Sequence, residues 1–362
     1  MNQNNGPLTG IRVVEFAGIG PGPHCAMLLA DMGAEVVRIE RPGTAVFNPV
    51  VERARHRLAL DIRSGEGRAV AWDAALAADV VLEGFRPGVM ERLGLGPAEL
   101  CGANPRLVYA RMTGWGQDGP LAQTAGHDIN YIAVAGALSS FGQAGEPPVA
   151  PQNMVGDFGG GSLYCALGIL AALLERERSG QGQVVDAAIV DGVTSLMSFF
   201  AGIRGNPLLS PKLGQGMLSG AAHFYRSYRC ADGQYLSVGA IEPQFYTLLL
   251  EKTGMMDALG TGQLDPAKWD AYTERLIELF ATRTRDEWCD LLEGTDACVA
   301  PVLELDEVAA HPHMQARGAY VERDGVAHTA PAPRFSRTPG TIRASGEDGA
   351  AVIARWTQGD TN

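Results

Sequence analysis

The first 115 residues alternate short runs of β-branched and apolar residues with segments of helical periodicity. The runs cover 11–16, 35–39, 57–61, 80–84 and 107–113, with helical patterns at 22–32 and 66–78. Runs such as Val80-Val81-Leu82 are apolar on successive residues, as in strands that are covered on both faces. This alternation is typical of βαβ units, and it predicts an α/β fold with a doubly wound, Rossmann-like parallel sheet.

Glycine and proline mark the predicted domain boundaries. Residues 127–204 have mostly helical patterns, with long apolar helices expected at 162–176 and 188–203, and 205–220 is an aperiodic stretch that we predict to be a linker. A smaller α+β domain is expected at 221–317, opening with a hairpin whose turn is Ala231-Asp232-Gly233. The large domain is therefore predicted at 1–204, and the C-terminal segment 318–362 is expected to return to it.

Charge and residue usage disfavour several classes of protein. The chain of 362 residues has 29 basic and 41 acidic side chains, so a net charge of -12 opposes binding to nucleic acid. Only three residues are lysines, which disfavours pyridoxal chemistry. The six cysteines include no C-x-x-C pair and no histidines have H-x-x-x-H spacing, so we expect reduced thiols and no metal.

We expect a cytoplasmic protein that does not span a membrane. Residues 1–10 lack the basic and then apolar pattern of a signal peptide, and the longest uncharged runs, 129–145 and 158–174, are rich in glycine and serine. The last residues, Gly359-Asp360-Thr361-Asn362, differ from the Ser-Lys-Leu peroxisomal signal.

A glycine-rich turn, Gly18-Ile19-Gly20-Pro21-Gly22-Pro23, follows the first predicted strand. A dinucleotide-binding fingerprint requires glycine at the position of Pro23, so the sequence disfavours an NAD-dependent dehydrogenase. The pattern favours a tight strand-to-helix turn in which proline begins the helix.

Arginines are concentrated in the region that follows this turn. The segment 38–63 contains six of them against three acids, and Arg86 and Arg92 lie in and after Gly84-Phe85-Arg86-Pro87-Gly88, just past a predicted strand. Ligands of parallel sheets bind beyond the carboxyl ends of the strands, so these arginines indicate a site for a phosphorylated ligand. A surface of ion pairs is an equally good interpretation of the composition alone.

Two further motifs contain groups that could move protons. Gly126-His127-Asp128-Ile129-Asn130-Tyr131 places a histidine at a predicted helix start, and Gly156-Asp157 precedes three glycines and a long helix. Backbone N–H groups around Gly159 and Gly160, unshielded at such a helix end, would suit a developing oxyanion. A structural histidine and an aspartate that caps a flexible turn are the alternatives.

Several blocks, in order along nearly the whole chain, resemble the family III coenzyme A transferases. They are 8–15, 31–40, 84–88, 112–116 and 156–157. Within that family Gly126-His127-Asp128 is similar to the α-methylacyl-CoA racemase branch, whereas the transferases have Tyr or Phe in the place of the histidine. The similarity continues through 241–246 and 333–336.

The resemblance implies roles for individual residues. His127 and Asp157 would be the catalytic pair, with Glu242 reaching His127. The implied CoA-binding residues are Arg41, Leu60, Asp61, Ile62, Arg63, Gly84, Phe85, Arg86, Arg92, Gly126, Asp128, Ile129, Asn130 and Tyr131. CoA would enter as part of the thioester substrate, without pyridoxal phosphate or a metal. The resemblance also implies an interlocked homodimer in which each site combines one subunit's large domain with the other's small domain.

Inversion at the carbon next to a thioester carbonyl requires one group to remove a proton and a second to deliver one to the opposite face. His127 and Asp157 would carry one proton between them, so that neutral His127 removes a proton while protonated Asp157 delivers one. The amides around Gly159 and Gly160 would hold the enolate oxygen. Asp157 could instead attack an acyl-CoA to form a mixed anhydride, as in a CoA transferase. A non-catalytic acyl-CoA-binding module is a third hypothesis, and the sequence favours the racemase.

Overall fold

The computed structural model describes residues 6–323, 325–344, 346 and 348–358. These form two compact units, the first from the described residues of 1–135, 151–196 and 318–362, the second from 136–150 and 197–317. The sequence had placed 136–150 and 197–204 in the large domain and 205–220 in a linker. The structure differs because 136–150 packs within the second unit, where the Ser140 hydroxyl donates to the carbonyl of Pro211 at 3.0 Å.

A six-stranded parallel sheet forms the centre of the first unit. Its order is β3-β2-β1-β4-β5-β6, which is that of doubly wound nucleotide-binding folds. The strands are β1 Arg12–Phe16, β2 Glu35–Glu40, β3 Arg55–Ala59, β4 Val80–Glu83, β5 Val108–Thr113 and β6 Val184–Ala188. Adjacent valines such as Val80 and Val81 are both fully buried, so both sheet faces are covered, and the predicted α/β class is confirmed.

Helices and a hairpin complete the first unit. The helices are α1 Pro21–Asp31, α2 Gly65–Leu76, α3 Val89–Arg92, α4 Pro97–Ala103, α5 Asp128–Val134, the π-helix Met154–Ser162, α6 Leu163–Ser179, α7 Ile189–Leu196 and α14 Gly349–Gln358, and the hairpin strands are β10 Tyr320–Arg323 and β11 Val326–Thr329. Helix α14 contacts α2, β2 and β3, where Trp356 is buried and its indole N–H donates to Glu35 at 2.6 Å. The C-terminal segment thus supplies core residues to the first unit.

The glycine-rich turn after β1 has the predicted form. Gly20 has a φ of 69°, a conformation that favours glycine, and α1 begins at the next residue, Pro21. Proline is suited to a first helical turn because its missing N–H would have no partner there. This short turn brings the backbone of Gly18 to Gly20 to the carboxyl ends of the strands.

Most arginines of the segment 38–63 form ion pairs inside the first unit. Glu15 accepts from Arg38 at 2.5 Å and from Arg55 at 2.9 Å, and all three side chains are almost completely buried. Arg53 is paired with Asp31 at 2.5 Å, and Arg57 with Glu40 at 2.7 Å. Four of the six arginines therefore have a structural role in ion pairs. Within this segment, the exposed Arg41 and Arg63 are the arginines that remain as candidate phosphate ligands.

The second unit is built on a three-stranded antiparallel sheet, β7-β8-β9. Its strands are β7 Tyr225–Arg229, β8 Tyr235–Gly239 and β9 Val299–Val302, and its α-helices are α8 Ser198–Gly202, α9 Pro243–Thr253, α10 Met256–Leu259, α11 Trp269–Phe280, α12 Arg285–Leu292 and α13 Pro312–Ala316. The strands β7 and β8 pair across the expected turn, in which Gly233 has a φ of 85°. The long helix predicted over 188–203 is instead two helices, α7 and α8, separated at Met197.

His223 is fully buried in the core of the second unit. The Tyr246 hydroxyl donates to the carbonyl of Leu259 at 3.0 Å, so it accepts from His223 Nε2 at 2.8 Å. Among the described residues, Nδ1 of His223 has no hydrogen-bond partner. Burial lowers the pKa of His223 to about 4, because a charged ring would lie among apolar and aromatic side chains.

We expect the free energy of unfolding to decrease by about 3 kcal/mol as the pH falls from about 6.5 to 4. In that range the unfolded chain takes up a proton at His223 that the folded chain does not bind. Urea unfolding at several pH values would measure the slope, and the His223→Gln variant should reduce it. His313→Gln changes an exposed histidine and should leave the slope unchanged; equal slopes for wild type and His223→Gln would contradict this assignment.

One helical segment, Met154–Ser179, is long and apolar enough to cross a membrane by length and composition. Its inner face, with Cys165, Ile169 and Leu173, is buried in the first unit. Its outer face exposes Leu167 and Leu174, which are 60% and 67% accessible. The core helix of a globular unit can be equally long and apolar, so length and composition alone do not identify a membrane span. The expected absence of a membrane span stays a prediction.

Candidate active site

Asp157 lies in the π-helix, with a half-buried carboxylate. Burial raises its pKa, the amide of Asn153 opposes that change by donating to Oδ2 at 3.2 Å, and the negative charge of Asp128 raises the pKa further. The electrostatic influence of His127 lowers it. The environment as a whole raises the pKa of Asp157 and so makes the protonated form, which can donate a proton, more accessible than in an ordinary aspartate.

The π-helix differs from the flexible turn expected at Gly156 to Gly161. The sequence predicted a helix starting at Ser162, with the amides of Gly159 and Gly160 free at its end. Instead the helical chain starts at Met154, so these amides lie inside the helix and are not free at its end, which removes the structural basis for the oxyanion role given to them. The glycines permit close packing: a Cβ at Gly160 would lie 2.6 Å from Cγ2 of Val193 on α7. π-Helical segments are rare and occur mostly at functional sites.

Gly192 on α7 faces the same crossing. A Cβ there would lie 1.9 Å from the carbonyl oxygen of Gly160, a backbone atom that cannot rotate away. We expect the Gly192→Ala variant to displace the π-helix, to lose about 1–3 kcal/mol of stability and to lose activity by at least ~10-fold. Gly102→Ala on α4 has open space and should be neutral or slightly stabilising. Thermal unfolding and turnover of both variants test this; wild-type turnover by Gly192→Ala would contradict it.

His127 immediately precedes α5, and its ring is exposed. Its backbone N–H donates to Oδ1 of Asn130 at 3.0 Å, and the hydroxyl of Tyr131 donates to the carbonyl of Gly126 at 2.5 Å. The ring of Tyr131 lies edge-on to that of Trp115 at 4.8 Å. Asn130 and Tyr131, two of the expected CoA ligands, therefore use their side chains to hold the loop that presents His127.

Asp128 is buried beneath Asp157, with 7% of its surface accessible. Its Oδ1 accepts the backbone N–H of Asp157 at 2.7 Å. The resemblance placed Asp128 among the CoA-binding residues, but its carboxylate is directed at the backbone of the π-helix. The neighbouring Ile129 is 45% accessible.

A cavity of about 800 Å³ lies at the carboxyl ends of β1, β2 and β4. The chain builds the sheet in one direction from β1 to β3 and in the other direction from β4 to β6, so the switch point lies between β1 and β4. Ligands of doubly wound sheets bind at this switch point. Seven of the expected CoA ligands line the cavity: Arg41, Leu60, Asp61, Ile62, Arg63, Phe85 and Arg92. Asn153 and Gly20 also line it, and an added Cβ at Gly20 would lie 3.0 Å from Oδ2 of Asp157. The carboxylate is therefore next to residues that line the cavity.

Glu83 holds the loop that contains Gly84 and Arg86, both of which are exposed. Its Oε2 accepts the backbone N–H of Phe85 at 2.7 Å, and its Oε1 accepts from Arg111 at 3.1 Å. Burial raises the pKa of Glu83 to about 7, and these hydrogen bonds oppose the rise. Sequence analysis missed this residue, although an acidic side chain at the end of an apolar strand could have indicated it.

Asn153 was also missed. It lies four residues before Asp157, a spacing that brings side chains together on a helix, but the sequence around it predicted a turn. Glu242 lies in the second unit, exposed at the residue before α9. Burial raises the pKa of Cys298, and the charge of Glu242 raises it further. Its interaction with His127 stays a prediction. Within the described ranges, no three His, Cys, Asp or Glu side chains are grouped to hold a metal ion.

Comparisons with known proteins bear on the identity of this site. Residues 8–347 match the family model described as CoA-transferase family III. The chain is 46% identical to an α-methylacyl-CoA racemase from Mus musculus and 47% identical to one from Homo sapiens, in each case over 92% of this chain and 87% of the relative. A crystal structure of a CaiB/BaiF family protein from Brucella suis has a TM-score of 0.85 at 27% identity, covering 97% of this chain and all of that one. The predicted fold and family are confirmed: the chain belongs to the family III coenzyme A transferases.

Proposed function

We propose that this protein is an isomerase that interconverts the two configurations at the α-carbon of 2-methylacyl-CoA thioesters. The observation that carries the proposal is a carboxyl group, Asp157, whose pKa is raised by burial, which lies beside two residues that line a large cavity, Gly20 and Asn153, and within electrostatic range of His127. The racemase names of the relatives at 46% and 47% identity support the same reaction.

In this mechanism His127 and Asp157 act on opposite faces of the α-carbon. Neutral His127 removes the α-proton, the electron pair of the broken C–H bond moves to the thioester carbonyl as an enolate, and protonated Asp157 delivers its proton to the other face. The roles are exchanged for the opposite configuration. An ordinary carboxyl group would be ionised near neutral pH, so the raised pKa of Asp157 supports its function as a donor.

The CoA part of the substrate would occupy the cavity. Arg41, Arg63 and Arg92 are exposed on its lining and could pair with phosphates, although Arg63 also contacts Asp61 at 2.9 Å. The two-base reaction uses the acidity of the thioester α-carbon and two protein groups. In this proposal it requires neither pyridoxal phosphate nor a metal.

The test is to incubate one enantiomer of 2-methyldecanoyl-CoA with the protein in heavy water, without an acceptor acid, and to follow the α-carbon by NMR and chiral analysis. Loss of optical purity with deuterium at the α-carbon is expected. Retained configuration, with CoA moving only after a free acid is added, would mean that Asp157 is a transferase nucleophile. Binding without either reaction would indicate a non-catalytic module.

We also propose that the protein is a homodimer and that His127 meets Glu242 of the partner subunit. The exposed leucines on the outer face of α6, Leu163, Leu167 and Leu174, support an interface at this helix, because an apolar face of this extent is typical of an association surface. The family resemblance favours a second copy of this chain as the protein that covers these leucines.

Light scattering should give twice the chain mass for wild type. A Leu167→Arg, Leu174→Arg variant should be monomeric and inactive, whereas Ala98→Arg on α4 should remain dimeric. A monomeric wild type with full activity would contradict the dimer.

A further inference from the structure

We propose that Asp128 is a positioning residue that holds Asp157 at a fixed separation from His127, rather than a ligand of CoA. The inference rests on the proposed racemase reaction, because it assigns a role to Asp128 in the two-base arrangement. It uses contacts that neither the motif nor the names of the relatives specify.

The position of Asp128 connects the two bases directly. It follows His127 in the chain as the first residue of α5, so its backbone moves with that of His127. Its side chain reaches the other base, because Oδ1 accepts the backbone N–H of Asp157 at 2.7 Å. The N–H of Gly156 also donates to this carboxylate. One side chain thus joins the helix start that presents His127 to the π-helix that presents Asp157.

The local packing leaves little freedom for this contact. A Cβ on Gly156 would lie 2.3 Å from Oδ1 of Asp128, so glycine is required for the carboxylate to approach the π-helix. Asp128 is 7% accessible, and its Oδ2 has no hydrogen-bond partner among the described residues. A side chain so buried and turned inward is poorly placed to bind a phosphate-bearing ligand, and its own negative charge would repel one.

Besides holding the backbone of Asp157, Asp128 affects the pKa of that residue through its negative charge. Burial raises the pKa of Asp128, whereas the backbone N–H groups of Asp157 and Gly156 lower it. When ionised, it raises the pKa of the adjacent Asp157. An asparagine could accept the same N–H group without supplying this charge. Positioning and charge can therefore be separated by substitution.

Other charged and titratable groups lie around Asp157 and also affect its surroundings, so a test of Asp128 must leave them unchanged. His127 and the amide of Asn153 lower its pKa, and the charges of Asp157 and Asp128 both act on Tyr131, on which Arg86 has the opposite effect. On α1, His24 packs against Phe158, with ring centroids 4.7 Å apart, and bonds to Ser162 at 2.6 Å. On α7, Asp191 acts on Asp186. Apart from the effect of Asp128 itself on Tyr131, all of these remain in a variant at Asp128.

Two variants distinguish the roles kinetically. Asp128→Asn should keep kcat within ~10-fold of wild type and lower the pKa of Asp157, because a like charge is removed. In the profile of kcat/KM against pH this moves one limb downward by about 0.5 to 1 unit: the alkaline limb for the configuration that His127 deprotonates, and the acid limb for the configuration that Asp157 deprotonates. Asp128→Ala loses the contact as well, and its kcat should fall by at least ~10²-fold. Neither change should alter KM or the affinity for the thioester by more than ~2-fold. Asp73→Asn, on the exposed face of α2, is the matched control and should behave as wild type.

A second readout does not depend on turnover. In protein labelled with ¹³C at aspartate carboxyls, the signal that disappears in Asp157→Asn belongs to Asp157, and its titration midpoint should be lower in Asp128→Asn than in wild type. An unchanged midpoint together with at least ~10-fold weaker thioester binding would overturn the proposal and make Asp128 a CoA ligand. If wild type fails to exchange the α-proton, the racemase proposal fails, and the titration still decides whether Asp128 acts on Asp157.

Discussion

The Asp157→Asn variant is expected to lose racemisation by at least ~10³-fold, because asparagine cannot take up or deliver a proton at the α-carbon. The substitution keeps the size of the side chain and a partner for Asn153. His127 is untouched and should still exchange the α-proton of one configuration with solvent deuterium, with retention. Chiral analysis combined with deuterium counting would separate exchange from inversion.

The reciprocal variant provides the matched comparison. His127→Gln should exchange only the opposite configuration, since Asp157 is then the remaining base. If instead both variants exchange the same configuration, the two groups do not lie on opposite faces. If Asp157→Asn retains racemisation, Asp157 is not one of the bases.

The Glu15→Ala variant is expected to lower the free energy of unfolding by about 3–5 kcal/mol. Glu15 is 1% accessible and accepts from both Arg38 and Arg55. Its removal leaves the buried Arg55 without a carboxylate partner and leaves Arg38 with only the longer contact to Glu40 at 3.4 Å. Urea unfolding of the purified variant measures the loss.

An exposed acid provides the control for this measurement. Glu99→Ala on α4 should change the free energy of unfolding by less than about 0.5 kcal/mol. A loss below about 1 kcal/mol for Glu15→Ala would mean that the buried arginines find other partners or water. Because Arg38 also donates to the carbonyl of Gly18 at 3.4 Å, a weakened thioester affinity should accompany the loss of stability.

Most of the first unit could be predicted from the sequence because its strands are short and apolar on successive residues. The predicted strand over 80–84 is β4, and the helix expected after Gly20 is α1. The π-helix could not be predicted, since Gly156 and Gly159 to Gly161 are poor helix formers and indicate a turn. Packing against α7, which only the tertiary structure contains, stabilises the helical form.

The candidate site was predicted to a smaller extent. Resemblance located His127 and Asp157, but the residues that set their environment are identified by contacts between distant segments. Asp128 and Asp157 are 29 positions apart, and nothing in the spacing predicts a hydrogen bond between them. The sequence also left open whether the arginines of segment 38–63 bind phosphate or form ion pairs, because the acidic partners of Arg38 and Arg53 lie on other elements.

The central claim is that two different groups handle the proton on the two faces of the α-carbon. The most direct measurement is the deuterium content of both configurations during the first turnovers of a single protiated enantiomer in heavy water. We expect the inverted product to contain deuterium from its first appearance, because the proton removed by His127 stays on that side chain while Asp157 delivers one derived from solvent. Deuterium should enter the remaining starting enantiomer only as fast as protonated His127 exchanges with solvent. An inverted product that retains the original proton would require a single base, and would contradict the account.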